Sequence, residues 1–205
     1  MTPSAVLSPA MSSSFSHAIG RSPVLADRLP KVLRHDVSVV VLGAALVGLF
    51  AQVNWHVKGW PVPFTGQTLA VLLVAAAAGS VRAALAMTLY GAAGIAGLPW
   101  LAGGAKGWPA FTFGYLVGFV AAAALVGWLA QRGWTSTGLR TIIAMGSGTL
   151  VIYAFGVPWL MHAMHSSLAA ALSAGAVPFL VTDAIKVLMA AAVLPDATRW
   201  LGSRN

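Results

Sequence analysis

An all-α, polytopic membrane protein with six transmembrane helices and both termini cytoplasmic is the fold this sequence predicts. Three observations predict it. The 205 residues are 59% hydrophobic and 8% charged, with a mean hydropathy of +0.84, whereas soluble domains carry about 25% charged residues. The apolar residues fall in runs close to the ~20 residues that a helix needs to cross a bilayer. Lys and Arg collect in alternate loops, the pattern of the positive-inside rule.

Residues 1–36 read as a flexible cytoplasmic tail, rich in Ser and Pro. Its cations, Arg21, Arg28, Lys31 and Arg34, come late. A secretory signal has the opposite order, charge first and then an apolar core. The membrane domain spans 37–194. Its helices are expected over Val37–Val53, Thr68–Gly79 with its flanks, Arg82–Leu98, Pro109–Gln131, Leu139–Val157 and Gly175–Leu194. The second is short and follows Pro61 and Pro63. Pro158 is expected to end the fifth, since proline cannot continue the helical hydrogen-bond ladder. That leaves Trp159–Ala174 as a loop or a short interfacial helix. Residues 195–205 form a short cytoplasmic C-terminal tail.

The side of each loop follows from its cations. The tail, the turn at Arg82, the turn with Arg132 and Arg140, and the C-terminus with Arg199 and Arg204 carry nine; Lys58 and Lys106 are the two on the other side. This split places both termini in the cytoplasm of a multi-pass cell-membrane protein. It also accounts for the net charge of +8 and pI near 11 without nucleic acid.

Lys186 belongs to neither side. The run from Gly175 to Ala190 is almost entirely apolar, yet it carries two ionisable residues, Asp183 and Lys186. Ionised side chains in hydrocarbon are costly and often functional, and a spacing of three puts both on one helix face. Either they neutralise each other as a structural pair, or they face a polar ligand. With the sixth helix entering from outside near Pro178, Asp183 lies about 8 Å in, at ~1.5 Å per residue, reachable from the external face.

Several chemistries are excluded or disfavoured. The chain has no cysteine, so disulfides, zinc thiolates and cysteine nucleophiles are absent. No Walker-type glycine-rich Lys-Ser/Thr run occurs, so any ATP use belongs to another chain. No Ser-His-Asp set or paired carboxylates appear, and neither catalysis nor a cofactor is expected. His162 and His165 are either side-by-side metal ligands or neutral interfacial histidines; no carboxylate or further His lies nearby in sequence, which favours the second. Pairs of small residues at spacing four, Ala44/Gly48, Ala93/Gly97 and Gly114/Gly118, allow close helix approach. Most are read as internal packing, with a face on the first helix available to a partner.

The two long external loops combine tryptophans, prolines and polar residues. The first runs Asn54-Trp55-His56-Val57-Lys58-Gly59-Trp60-Pro61-Val62-Pro63-Phe64-Thr65-Gly66-Gln67; the other spans Gly97–Trp108. The plainer reading is an aromatic belt; the alternative is a cover over a small amphipathic ligand.

Together, Pro61-Val62-Pro63-Phe64-Thr65-Gly66-Gln67-Thr68, Gly94-Ile95-Ala96-Gly97-Leu98-Pro99, Ala102-Gly103-Gly104, Gly114-Tyr115-Leu116-Val117-Gly118-Phe119 and Val177-Pro178-Phe179-Leu180 with Asp183 and Lys186 resemble the BioY family. That family is the biotin-capturing subunit of energy-coupling factor transporters. The resemblance covers about Val37 to Leu194. It departs where the family's glycine–proline–threonine–glycine–glycine run is Pro109-Ala110-Phe111-Thr112-Phe113-Gly114, at Trp100-Leu101, and in a bulkier first loop with Trp55 and Trp60.

The resemblance implies a lipid-embedded subunit that binds biotin from outside. Its implied partners are a transmembrane coupling protein and two cytoplasmic ATPases. Asp183 would accept from the ureido N–H groups. Lys186 would hold the carboxylate or only balance Asp183, with Lys58 or Lys106 as substitutes. Gln67 and Thr68 would serve the ureido carbonyl, or else cap the second helix. Tyr115 would wall the ring or sit at the interface. Tyr90 is a further candidate, though central in its helix and of a kind more often found in a core. Trp100 and Trp108 would pack on the ligand or belong to the belt; Gln52 and Asn54 are weaker candidates. The other readings are capture of another vitamin, capture of a nickel or cobalt ion, and a structural or enzymatic membrane protein.

Overall fold

The computed structural model describes residues 24–28 and 35–202. Helix α1 (Asp36–Gln52) leads into a short antiparallel hairpin, β1 (Asn54–Trp55) and β2 (Phe64–Thr65), which pairs Asn54 with Thr65 and Trp55 with Phe64. Helices α2 (Gln67–Ala78) and α3 (Ser80–Ile95) follow, joined at Gly79, whose φ of 81° is open to glycine at little cost. A loop with a 3-10 turn at Ala102–Gly104 leads to α4 (Phe113–Ala130), then α5 (Gly138–Ala163), the short α6 (Leu168–Gly175), a 3-10 turn (Val177–Phe179) and α7 (Leu180–Gly202).

Helix α2 is the axis of the bundle. Its sequence, QTLAVLLVAAAA, is apolar on all sides, and a helix of that kind is buried all round. It packs against α1, α3, α4 and α7, with Ala70, Val71, Leu72 and Ala75 almost fully enclosed. Its brevity, which made its start hard to place from sequence, reflects a central position beneath the hairpin.

Among the described residues, three stretches are long and apolar enough to cross a membrane: Phe113–Ala130, Gly138–Ala163 and Leu168–Ala197, the last joining α6, the turn and most of α7. Asp36–Gln52 and Gln67–Ala78 are apolar but shorter. Outward faces carry Val41, Leu49, Leu85, Leu150, Ile185, Leu188 and Val193, all exposed. An exterior this apolar suits lipid rather than water, and the chain is a membrane protein.

The fifth and the last helices differ from expectation, the last starting at Leu180 rather than Gly175. Pro158 does not end the fifth helix, which continues to Ala163 with the proline inside it. Losing one backbone bond is tolerated in a long apolar helix whose neighbours re-satisfy the freed carbonyl. The segment expected as loop or interfacial helix is therefore divided: its start belongs to α5 and its end forms α6. The last helix runs past Leu194 and Pro195 to Gly202.

Most of the expected tail lies outside the described residues. Its described part, Leu25–Arg28, is a 3-10 turn packed against α2 and α7, with Val24 and Ala26 buried. Arg82 of α3 fixes it through Asp27 (2.5 Å) and also reaches Asp36 (3.7 Å). The small-residue pairs are largely interior: Gly48 faces Trp100, Gly114 faces Trp159 and Gly118 faces Ile152.

Candidate ligand-binding site

One end of α2, the hairpin and the helices α4, α5 and α7 line a cavity. The hairpin contributes Pro63 and Thr65, α2 contributes Gln67 and Thr68, and α4 contributes Tyr115 and Phe119 one turn apart. Ile152 and Tyr153 line it from α5, Phe179 from the 3-10 turn, and Asp183 and Lys186 from α7.

Its polar wall is a single hydrogen-bonded cluster. Lys186 Nζ donates to Asp183 Oδ1, to Thr68 Oγ1 and to the Thr65 backbone carbonyl, each at 2.8 Å. An ammonium has three protons, so every one has an acceptor from the protein. Thr68 Oγ1 donates in turn to Asp183 Oδ1 at 3.0 Å. Tyr153 Oη donates to Asp183 Oδ2 at 2.6 Å. Asp183 is 4% exposed, and a carboxylate so enclosed stays charged only when paired and hydrogen-bonded.

The apolar wall depends on two small residues. Tyr115 Oη donates to the Gly175 carbonyl at 2.8 Å. Its ring lies against Gly156, where any Cβ would collide with it, and its hydroxyl occupies the space a Cβ on Gly175 would need. These two glycines thus set the position of Tyr115 at the cavity edge. The roof is aromatic: Phe64 of the hairpin meets Phe179 with ring centroids 4.5 Å apart, and Trp60 stacks on Phe64 at 5.8 Å. The Thr65 carbonyl bond to Lys186 joins the same hairpin to α7.

Five of the residues singled out from sequence meet at this cavity: Asp183, Lys186, Tyr115, Gln67 and Thr68. Tyr90 and Trp100 lie behind it. Gln67 Nε2 donates to Tyr90 Oη at 2.6 Å, and Trp100 Nε1 donates to the Tyr90 carbonyl at 3.0 Å. Tyr90 is fully enclosed in the core. Neither Gln67 nor Thr68 caps α2 through its side chain, both being turned to these partners. Gln52 Nε2 donates to the Gly48 carbonyl one turn back in α1 (2.9 Å) and to the Trp100 carbonyl (3.3 Å), and the second bond ties α1 to the loop after α3. Lys58 and Lys106 do not line the cavity. Trp108 stacks on Phe113 at 4.5 Å, away from it. His162 and His165 stand with ring centroids 6.2 Å apart, and no group of three or more metal-ligating His, Cys, Asp or Glu occurs among the described residues.

Tyr153 was not foreseen. It lies 30 residues from Asp183 on another helix, so no spacing rule connects the two. The available signal was its chemistry, a phenol in the middle of an apolar span.

The model of the BioY family matches residues 24–203. The chain belongs to the BioY family. It is 38% identical over 137 residues to the biotin transporter BioY of Thermotoga maritima, covering 65% of this chain and 79% of that protein. To the biotin transporter BioY of Rhizobium etli it is 33% identical over 141 residues, covering 64% and 75%. A crystal structure of the S-component for biotin from an ECF-type ABC transporter shares its fold, with a TM-score of 0.70 at 17% identity over 83% of this chain and 95% of that one. The BioY match spans every residue that lines the cavity.

Proposed function

We propose that this BioY-family chain captures biotin in the cavity beneath the hairpin and delivers it across the membrane as the non-enzymatic substrate-binding subunit of an energy-coupling factor transporter. One observation carries the choice of site: a buried carboxylate, Asp183, held at the wall of a largely apolar cavity. Biotin presents ureido N–H donors on an apolar fused ring, and a charged acceptor makes the strong hydrogen bonds to such donors. Tyr115, Phe119, Ile152 and Phe179 supply the apolar surround that a small-ligand site needs.

The arrangement supports Lys186 as partner of Asp183 rather than as holder of the ligand's carboxylate, because its three protons already have acceptors. The tail of the ligand then points away from α7 toward the loops, which carry Lys58 and Lys106. Isothermal titration of the purified protein with biotin tests the reading. Saturable 1:1 heat is the expected result, and its absence at micromolar protein would sink the assignment.

The full reading has six spans, both termini cytoplasmic, in the cell membrane. The nine-to-two division of loop cations supports it. The partners in this reading are a transmembrane coupling protein and two ATPase subunits, with lipid around the bundle. Because the chain has no cysteine, single introduced cysteines report sidedness directly. In intact cells His56→Cys should react with an impermeant maleimide, and Ser136→Cys should react only after lysis. The reverse pattern would invert the topology.

A further inference from the structure

Asp183 is held in a way that decides which donors it can accept. A carboxylate offers about four lone-pair positions. On Oδ1, Thr68 and Lys186 take both; on Oδ2, Tyr153 takes one. One position remains, on Oδ2, beside the Tyr153 hydroxyl and facing the cavity that both residues line. The Lys186 ammonium at 2.8 Å balances the carboxylate's charge, so the wall is neutral as a unit.

We infer that Tyr153 is a specificity-determining positioning residue: its hydroxyl fixes the rotation of the Asp183 carboxyl and leaves a single acceptor position, so that the site takes one N–H of a neutral cyclic urea in one orientation. This rests on the biotin reading above. Tyr153 comes from α5 and Asp183 from α7, so the carboxyl plane is set by contacts from different helices, with Thr68 of α2 on the opposite oxygen. Without the phenolic bond, Oδ2 has no donor from the protein among the hydrogen bonds described. It can then accept from either ureido N–H, with the ligand turned about its ring.

The test compares wild type with Tyr153→Phe, which keeps the ring and removes only the hydroxyl. Three ligands are titrated: biotin and its two singly N-methylated ureido derivatives. Wild type should bind biotin, and it should separate the two methylated forms by at least about tenfold, the scale of one hydrogen bond to a charged group. Tyr153→Phe should bind biotin about tenfold more weakly and bring the two methylated forms to within about threefold of each other. A merely structural tyrosine would lower all three affinities together and leave that ratio unchanged, which overturns the inference while the biotin reading stands. Unchanged biotin affinity in Tyr153→Phe overturns it equally. If wild type takes no biotin, the functional reading fails and this inference with it. Thermal unfolding without ligand, expected to be close to wild type, separates loss of fold from loss of binding.

Discussion

Asp183→Asn is expected to keep the fold and to lose about 100-fold or more in biotin affinity. The substitution keeps the shape and removes the charge. The amide oxygen can still occupy the Oδ1 position and accept from Thr68 and Lys186, as the carboxylate does. The amide nitrogen then takes the Oδ2 position, where Tyr153 can turn its hydroxyl from donor to acceptor. Every hydrogen-bonding partner therefore finds a counterpart, but Lys186 loses its counter-charge, so the unfolding midpoint should fall, by less than in Lys186→Ala because the Lys186 side chain, 18% exposed, is less enclosed than Asp183. The ligand finds no counterpart. Its N–H would meet an N–H₂, donor against donor, where it had met an anion. Hydrogen bonds to charged groups contribute about 1.5–3 kcal/mol, and leaving the ligand's donor unpaired adds a desolvation cost of about 1–3 kcal/mol. Isothermal titration with biotin measures the result. An affinity within threefold of wild type, with the fold intact, would remove Asp183 from the recognition of the ligand.

The parts of this molecule that could be read from sequence are those that composition and short spacings encode. The apolar runs gave the helices, because a lipid-facing surface and a packed interior are both hydrophobic. The Asp183–Lys186 pair was visible because two charges three apart in such a run break its pattern. What sequence could not supply was connection between distant helices. The phenol of Tyr153 and the carboxylate of Asp183 meet only because α5 packs beside α7. Gln67 looked like a ligand contact or a cap; it lines the cavity, and one N–H of its amide is given to Tyr90, 23 residues away. Trp100 looked like a belt residue or a ligand wall, and it instead fills the space left by Gly48 and bonds to Tyr90. Pro158 misled because the rule that proline ends helices is a rule about cost, and the burial of Val157 and Leu160 on either side of it is enough to carry the helix through.

Lys186→Ala is the second large expected effect, and here the fold suffers more. Removing the ammonium leaves the Asp183 carboxylate, 4% exposed, without its counter-charge. It also leaves the Thr65 carbonyl without its tie to α7. Breaking one side of a buried ion pair costs about 3–5 kcal/mol, so unfolding in detergent should shift by that order. Biotin binding should fall as well, through loss of the hairpin's anchor. A double substitution separates the two contributions. Asp183→Leu with Lys186→Met removes both charges at similar volume, and replacing a buried pair in this way is often neutral or stabilising. The double variant is therefore expected to recover most of the stability lost in Lys186→Ala, yet to bind no biotin. Recovery of stability without binding identifies the pair as present for the ligand, with its charge balanced so that it can exist inside the bundle. If the double variant is as unstable as Lys186→Ala, the pair is needed to hold α2, α7 and the hairpin together. A double variant that still binds biotin would show that the ligand is recognised elsewhere in the cavity.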